Sequence, residues 1–458
     1  MMPSRPLHAF LAASEGPAGR PALIDAQRPA LIDLRDASSF MQSRLRDSYN
    51  VPLEFLVPRM FLLPDRTTPL RLVTGAAPEA RTVCGAASAG GAKEDVDVSA
   101  FLTSRGWQVV AVLAASPEVL RAAAELGLLE SGGDELALRR RWLFQPSQLL
   151  VQQVGVVERM LADARAPGGG AEDVGHRAPL AGDAARGGGP TAEPAPAAPC
   201  VTLRMLDLGC GSGRDLAWLS ARSVLLPPSC RPGGGSAGVR VAWECVGLDS
   251  WHGALARCSD VLSLAEIPPG PGPGSVTLHL AEIEGGSGAL RPLPPPPALK
   301  PSLLRYMAQS AGGSEVCAEA DGGGGGGRVV GGPPAPEGSG GDGDVDGARG
   351  ALEASLAGSA DLVLCVRLLC RSLLPRMAGL LRPGGFILYS TFVDGPGLRA
   401  FGRPQGREHV LEHGELSSTF FGAGQGFEVL RDDVSTIPDG REVTMFCARK
   451  VAPPGADA

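Results

Sequence analysis

Short apolar runs divided by polar turns fill residues 22–140, where Ala30–Asp33, Leu70–Thr74 and Val109–Leu113 predict strands. Val98–Ser104 predicts a helix closed by Gly106. The texture changes at Trp142-Leu143-Phe144-Gln145-Pro146, after which Ser147 is placed to cap a helix carrying Leu150, Val154, Val157 and Leu161 on one face. Farther along, Thr202–Leu208, Trp243–Leu248, Asp361–Val366 and Phe386–Thr391 read as strands, with helices over Asp215–Ala221 and Ser372–Leu381. Strand and helix alternate, which predicts a mostly parallel sheet covered by helices on both faces. The end of the chain differs: Phe427–Val434 and Val443–Lys450 flank the turn signal Pro438-Asp439-Gly440 and predict an antiparallel hairpin.

Composition divides this pattern. Glycine (64) and proline (41) are concentrated in stretches without periodicity, at 166–200, 225–238, 268–274 and most of 285–357. Such stretches bury too little apolar surface to offset chain entropy, so they are expected to be loops or disordered inserts. Two α/β domains result, over 20–138 and 140–452.

With 44% hydrophobic and 20% charged residues the chain can bury a sizeable core, and its net charge of −7 argues against broad adhesion to nucleic acid or anionic membrane. No apolar run reaches the roughly 20 residues that span a bilayer. Met1–Pro21 lacks a signal-peptide core, although its Arg and Ser leave organelle targeting open. The ten cysteines include no C-x-x-C pair, so no zinc site or disulfide framework is expected, and a cytoplasmic, reducing compartment is the default.

The most informative segment is Leu206-Asp207-Leu208-Gly209-Cys210-Gly211-Ser212-Gly213-Arg214-Asp215, an apolar strand that meets three alternating glycines and then a helix. Glycines let the main chain turn sharply and lie bare against a ligand at a helix start. A dinucleotide site wants G-x-G-x-x-G, whereas the spacing here is G-x-G-x-G with Asp207 just before it. An acid there repels a pyrophosphate but suits the ammonium of an amino-acid-bearing cofactor, and S-adenosylmethionine meets that description. The next strand ends in Asp249, placed to accept from ribose hydroxyls. It follows Asp207 by 42 residues, a gap lengthened by the 225–238 insert. Cys210 reads as a small filler and not as a nucleophile.

Over roughly 140–165, 202–285 and 358–450 the sequence resembles the class I S-adenosylmethionine-dependent methyltransferases, and within them the tellurite-resistance type. The resemblance is carried by Leu206–Asp215, Gly247–Asp249, Asp361-Leu362-Val363-Leu364, Leu381–Phe386, Ser390-Thr391-Phe392 and Phe401-Gly402-Arg403-Pro404. It implies a Rossmann-like domain in which Gly209, Cys210, Gly211 and Gly213 line the methionine end and Asp249 with Ser250 holds the ribose. Ala281-Glu282-Ile283 would frame the adenine, with Glu282 where Asp is common. The alternative for Glu282 is a solvated strand-end charge.

The methyl acceptor is expected to be a small molecule, such as a thiol or a selenium or tellurium species, already nucleophilic when ionised. Arg367 and Arg371 follow a strand that should face the methyl group and are candidates to bind an anionic acceptor, with a surface ion pair as the alternative. Residues 401–416 would form a lid, and His409 is the one plausible base. The His409, Glu412, His413 and Glu415 cluster is assigned to that lid and not to a metal.

In front, Asp33-Leu34-Arg35, Asn50-Val51-Pro52, Leu70–Thr74 and Phe101–Trp107 resemble a rhodanese homology domain. Persulfide chemistry needs a thiolate at a strand tip, yet Thr74 is followed by Gly75-Ala76-Ala77-Pro78. Cys84, with a loop expected over residues 85–90, is a weak substitute, so an inactive domain that docks a protein partner is expected. The leading expectation is thus a methyltransferase. The alternatives are a cofactor-binding regulatory or scaffolding protein without turnover and an NAD(P)-dependent oxidoreductase.

Overall fold

The computed structural model describes Leu7 and residues 29–76, 82–87, 93–143, 146–165, 199–227, 238–307, 345–437 and 439–451. Residues 166–198, 228–237 and 308–344, on which most of the expected inserts fall, lie outside this set.

The front domain has a four-stranded parallel sheet in the order Tyr49–Asn50, Ala30–Asp33, Leu70–Thr74, Val109–Ala114. Leu70–Thr74 is buried at every position, as a central parallel strand should be. Val98–Ser104 is helical as expected. It is capped by Asp97, whose carboxylate accepts from Ser99 N and Ala100 N. Cys84 departs from expectation: residues 84–87 belong to the strand Thr82–Ala87, which pairs antiparallel with Lys93–Asp97, so they do not form a loop around the thiol.

The second domain is built on a nine-stranded sheet. Its five parallel strands lie in the order Val276–Ile283, Val239–Asp249, Cys200–Leu208, Ala360–Val366, Leu381–Ser390. Antiparallel Glu442–Lys450 and then Phe427–Thr436 extend the far edge as the expected hairpin. Helices cover both faces. Gln148–Arg165, Arg214–Ser220 and His252–Leu264 pack on one, and Val345–Leu356 with Leu374–Leu380 on the other. The one fully buried acid of the first helix, Glu158, accepts from Arg222 Nε at 2.7 Å, Arg222 Nη2 at 2.8 Å and Trp243 Nε1 at 3.0 Å, so its charge is met inside the core.

Two expected inserts contain packed structure. Ser223–Leu226 pairs antiparallel with the start of Val239–Asp249, so the insert between Asp207 and Asp249 is flanked by paired strands. Within 285–357, Leu290–Pro292 pairs with Val276–Ile283, and Pro301–Tyr306 buries Leu303 and Tyr306. Val345–Leu356 buries Leu352 and Leu356. These pieces are stabilised by partners distant in sequence, which local periodicity does not register. Among the described residues, no helix is long and apolar enough to cross a membrane.

Candidate functional site

Strand order reverses between Cys200–Leu208 and Ala360–Val366, because the chain leaves the first toward one side of the sheet and returns by the other. A crevice at the carboxyl ends of these strands is the usual ligand position in open α/β sheets. Register fixes what lines it: Gly247 stands opposite Asp207, and Leu248 opposite Leu208, so Asp249 extends just past the glycine loop.

Backbone bonds bind loop and strand together. Gly209 N and Cys210 N both donate to Leu248 O, at 2.9 and 3.0 Å, and Gly211 N donates to Asp249 Oδ2 at 2.9 Å. The other oxygen of Asp249 accepts from Trp251 N at 2.8 Å. Gly211 and Gly213 have φ of +57° and +72°, where side chains are strained, but they serve different ends. A Cβ at Gly213 would drive into Cys258 Sγ, so this glycine lets the following helix approach its neighbour. A Cβ at Gly211 would meet nothing within 4 Å; it faces open space, as a ligand floor must.

Three carboxylates share this edge. Asp207 is 3% exposed and has no hydrogen-bond partner among the described residues. Burial pushes its pKa well above the usual carboxylate range, and the nearby charges of Asp215 and Asp249 push it further. Asp215 is raised to about 6 by burial, although its Oδ1 accepts from Ser147 N at 2.6 Å. Arg214 and Arg367 lie within electrostatic reach of Asp215, but only acids act on Asp207, which leaves room for a cation there. Cys210 is buried, and its thiol is raised well above its ordinary value by a hydrogen bond with Cys258 and by burial, consistent with a filler.

The other expected residues are distributed as follows. Ser250 is exposed beside Asp249, and Ile283 packs on the sheet core. Glu282 is half-buried and forms a cross-strand ion pair with Arg291, whose Nε donates to its Oε1 at 2.6 Å. Arg367 is exposed at the end of Ala360–Val366. Arg371 is already engaged: Nε and Nη2 grip the two Glu415 oxygens at 2.5 and 2.8 Å, Nη2 also donates to Val410 O at 2.9 Å, and Nη1 donates to Arg407 O. Those bonds make it a positioning residue for the 407–415 segment instead of an open anion-binding group. His409 is exposed on a turn, its ring 3.8 Å from Glu408 Oε1, with nothing aiming it into the crevice. Among the described residues no group of three or more His, Cys, Asp and Glu is arranged to hold a metal.

Three features escaped the reading of the sequence. Trp251 is 56% exposed beside Asp249, with Arg257 stacked 4.2 Å from its ring, and offers an aromatic face at the crevice rim. Its place two residues after Asp249 was the available signal. Arg441 lies between Phe392 and Phe401, at 4.3 and 4.2 Å, while forking Asp439. Arg214 reaches the front domain, its Nη2 donating to Leu63 O at 3.4 Å.

No family model matches the chain. Uncharacterized protein UNK4.09 of Schizosaccharomyces pombe (strain 972 / ATCC 24843) is 26% identical over 422 residues, spanning 92% of this chain and 93% of that protein. Similar solved structures include a SAM-dependent methyltransferase from Methanosarcina mazei (11% identity, 55% of this chain and 93% of that one, TM-score 0.28). Magnesium protoporphyrin IX methyltransferase from Synechocystis PCC 6803 with bound SAH aligns over 68% of this chain and 93% of that one, at 12% identity and a TM-score of 0.30. An arsenic(III) S-adenosylmethionine methyltransferase from Chlamydomonas reinhardtii aligns over 55% and 64%, at 15% identity and a TM-score of 0.27. Likeness at this level carries no weight for function.

Proposed function

We propose that the second domain is an S-adenosylmethionine-dependent methyltransferase acting on a small-molecule acceptor, such as a thiol or a selenium or tellurium species. The observation that carries this is Asp207: a buried carboxylate without a hydrogen-bond partner, flanked by Asp215 and Asp249, under a glycine loop whose Gly211 faces open space. A pyrophosphate in that position would meet a cluster of carboxylates and disfavour their ionised forms, whereas an ammonium and a sulfonium would favour them. This disfavours the NAD(P) alternative.

The residues present suit such a molecule. Asp207 and Asp215 would face the ammonium, and the main chain at Gly209 and Gly211 the methionine portion. Asp249 has acceptor capacity left after its two backbone bonds and would take the ribose hydroxyls. Trp251 would stack on the adenine, with Ile283 beside it. Glu282, held by Arg291, would border the ring. When bound, the cofactor supplies an electrophilic methyl group on a sulfonium. The chain's own work is to hold both reactants close in a water-poor crevice.

The front domain presents Gly75 and Ala76, not a thiol, after its central strand. We read it as an inactive rhodanese-like unit that docks rather than reacts. Methyl label from S-adenosylmethionine should pass to small molecules of a cell extract with the full chain and fall at least tenfold with Asp249→Ala. Label appearing only in RNA, or unchanged transfer by the variant, would refute this reading.

A further inference from the structure

The two domains meet beside the glycine loop, and the contact is a built one. Phe61 and Leu62 of the front domain pack on the core of the large domain. Arg214, the first residue of the glycine-loop helix, donates to Leu63 O at 3.4 Å and lies within electrostatic reach of Asp65. Trp107 braces this segment from behind: its Nε1 donates to Pro64 O at 2.9 Å, and Arg66 lies 5.2 Å from its ring. The helix Glu135–Leu143, at the junction of the domains, is tied to the large one by Arg139 and Arg140, which donate to Leu264 O and Ala265 O at 3.3 and 3.0 Å, at the end of the helix that follows Asp249.

Across from this contact stands Arg367. Its φ is +58°, a left-handed conformation that a non-glycine residue adopts rarely and that often marks a functional position. The turn is held by Arg367 N donating to Ser390 O at 2.7 Å. The guanidinium is exposed and has no hydrogen-bond or ion-pair partner among the described residues. The charged groups around it are Arg214, Asp215 and Asp439. Asp439 is forked by Arg441, which cancels its charge, and Arg214 stands between Asp65 and Asp215. Asp215 and Asp439 lie within electrostatic reach of Arg367, but neither forms an ion pair with it, so its guanidinium is left without a direct partner among the described residues, beside acids that suit a cationic cofactor. Phe392 and Phe401, stacked on Arg441, provide the apolar side of the same mouth.

We propose that the acceptor carries an anionic group, carboxylate or phosphate, and is bound in the cleft between the two domains, with Arg367 as its anchor, Arg214 beside it and residues 63–65 as the facing wall. Calling this molecule the acceptor rests on the methyltransferase reading; the anion site itself does not. A guanidinium in water gains little from an ion pair, but a filled cleft excludes water and strengthens a forked contact. The front domain then acts as part of the substrate pocket and not merely as a tether.

The test is thermal unfolding of the full-length protein, with and without S-adenosylhomocysteine, titrated with inorganic phosphate and separately with acetate against sodium chloride of matched ionic strength. At least one of the two anions should raise the melting temperature saturably beyond the chloride control. A response to phosphate alone marks a phosphoryl-bearing acceptor, and one to acetate alone a carboxylate. Arg367→Gln should weaken the fitted affinity at least tenfold. Asp65→Asn, at an exposed position, should tighten it about threefold by releasing Arg214 from a competing carboxylate. No anion-specific shift in the wild type, or equal affinity in Arg367→Gln, overturns the proposal. Titration without S-adenosylhomocysteine reads the anion site alone, so failure of cofactor binding defeats the methyltransferase reading and leaves this one standing.

Discussion

Both domains place acids at the carboxyl ends of their central parallel strands, and the two edges are finished in opposite ways. In the front domain Asp33 is fully buried but forked by Arg35, with Nε to Oδ1 at 3.0 Å and Nη2 to Oδ2 at 2.6 Å. Arg35 also donates to Ser43 O at 2.6 Å. The cavity of about 380 Å³ beside them, lined by Arg35, Asp36, Ser39, Gly75 and Ala76, opens onto groups that already hold one another. Burial raises the Asp33 pKa, yet every interaction with Arg35 acts to lower it. At the large domain's edge the corresponding acid, Asp207, meets only more acids. Neither glycine nor carboxylate alone distinguishes a ligand edge from a structural one. A guanidinium in direct contact does: Asp33 has one and Asp207 has none among the described residues.

The largest effect should come from taking the counter-charge away from the front edge. Arg35→Ala leaves Asp33 buried and unpaired and should cost about 3–5 kcal/mol in urea unfolding. A loss below about 1 kcal/mol would mean that the pair does not neutralise that edge. The loop glycines come next. Gly213→Ala adds strain at positive φ and a clash with Cys258, and should cost about 2–3 kcal/mol. Gly211→Ala costs only about 1 kcal/mol of strain but should weaken S-adenosylhomocysteine at least tenfold, because the new methyl group fills the ligand floor.

Neutralising each acid sharpens the contrast further. Asp207→Asn relieves repulsion and should raise the melting temperature by roughly 2–4 °C while weakening S-adenosylhomocysteine about tenfold. Asp33→Asn should lower it, since Arg35 loses its partner. The smallest effect is on pH. Asp215 has its folded pKa raised to about 6 from 3.8, so its stabilising contribution is complete below the unfolded value and is lost as pH rises through 6. Binding of an ammonium needs the ionised form. Calorimetric affinity for S-adenosylhomocysteine should therefore fall about threefold between pH 7 and about 5.7.

Where the sequence was legible, the deciding physics was local. Leu70–Thr74 and Ala360–Val366 are mostly apolar and buried, interrupted only by Arg71, Thr74 and Asp361, and Gly209, Gly211 and Gly213 punctuate a strand-to-helix turn. Their outlines follow from periodicity and backbone freedom alone. Where it was not legible, a distant partner decides. Leu290–Pro292 and Pro301–Tyr306 sit in a proline-rich stretch and are structured by Val276–Ile283 and the neighbouring helix His252–Leu264. Arg371 is separated by 44 residues from the Glu415 that engages it. Leu63 and Arg214 belong to different domains. The expected loop at 85–90 overlaps a strand because Lys93–Asp97 supplies its hydrogen bonds.

The glycine-loop crevice should accept a sulfonium nucleoside and reject a dinucleotide. Isothermal titration of the purified chain with S-adenosylhomocysteine, run beside NAD under identical conditions, tests it most directly. Saturable one-site binding of S-adenosylhomocysteine with no heat from NAD is the predicted result. Binding of NAD with none of S-adenosylhomocysteine would mean that the crevice is a dinucleotide site.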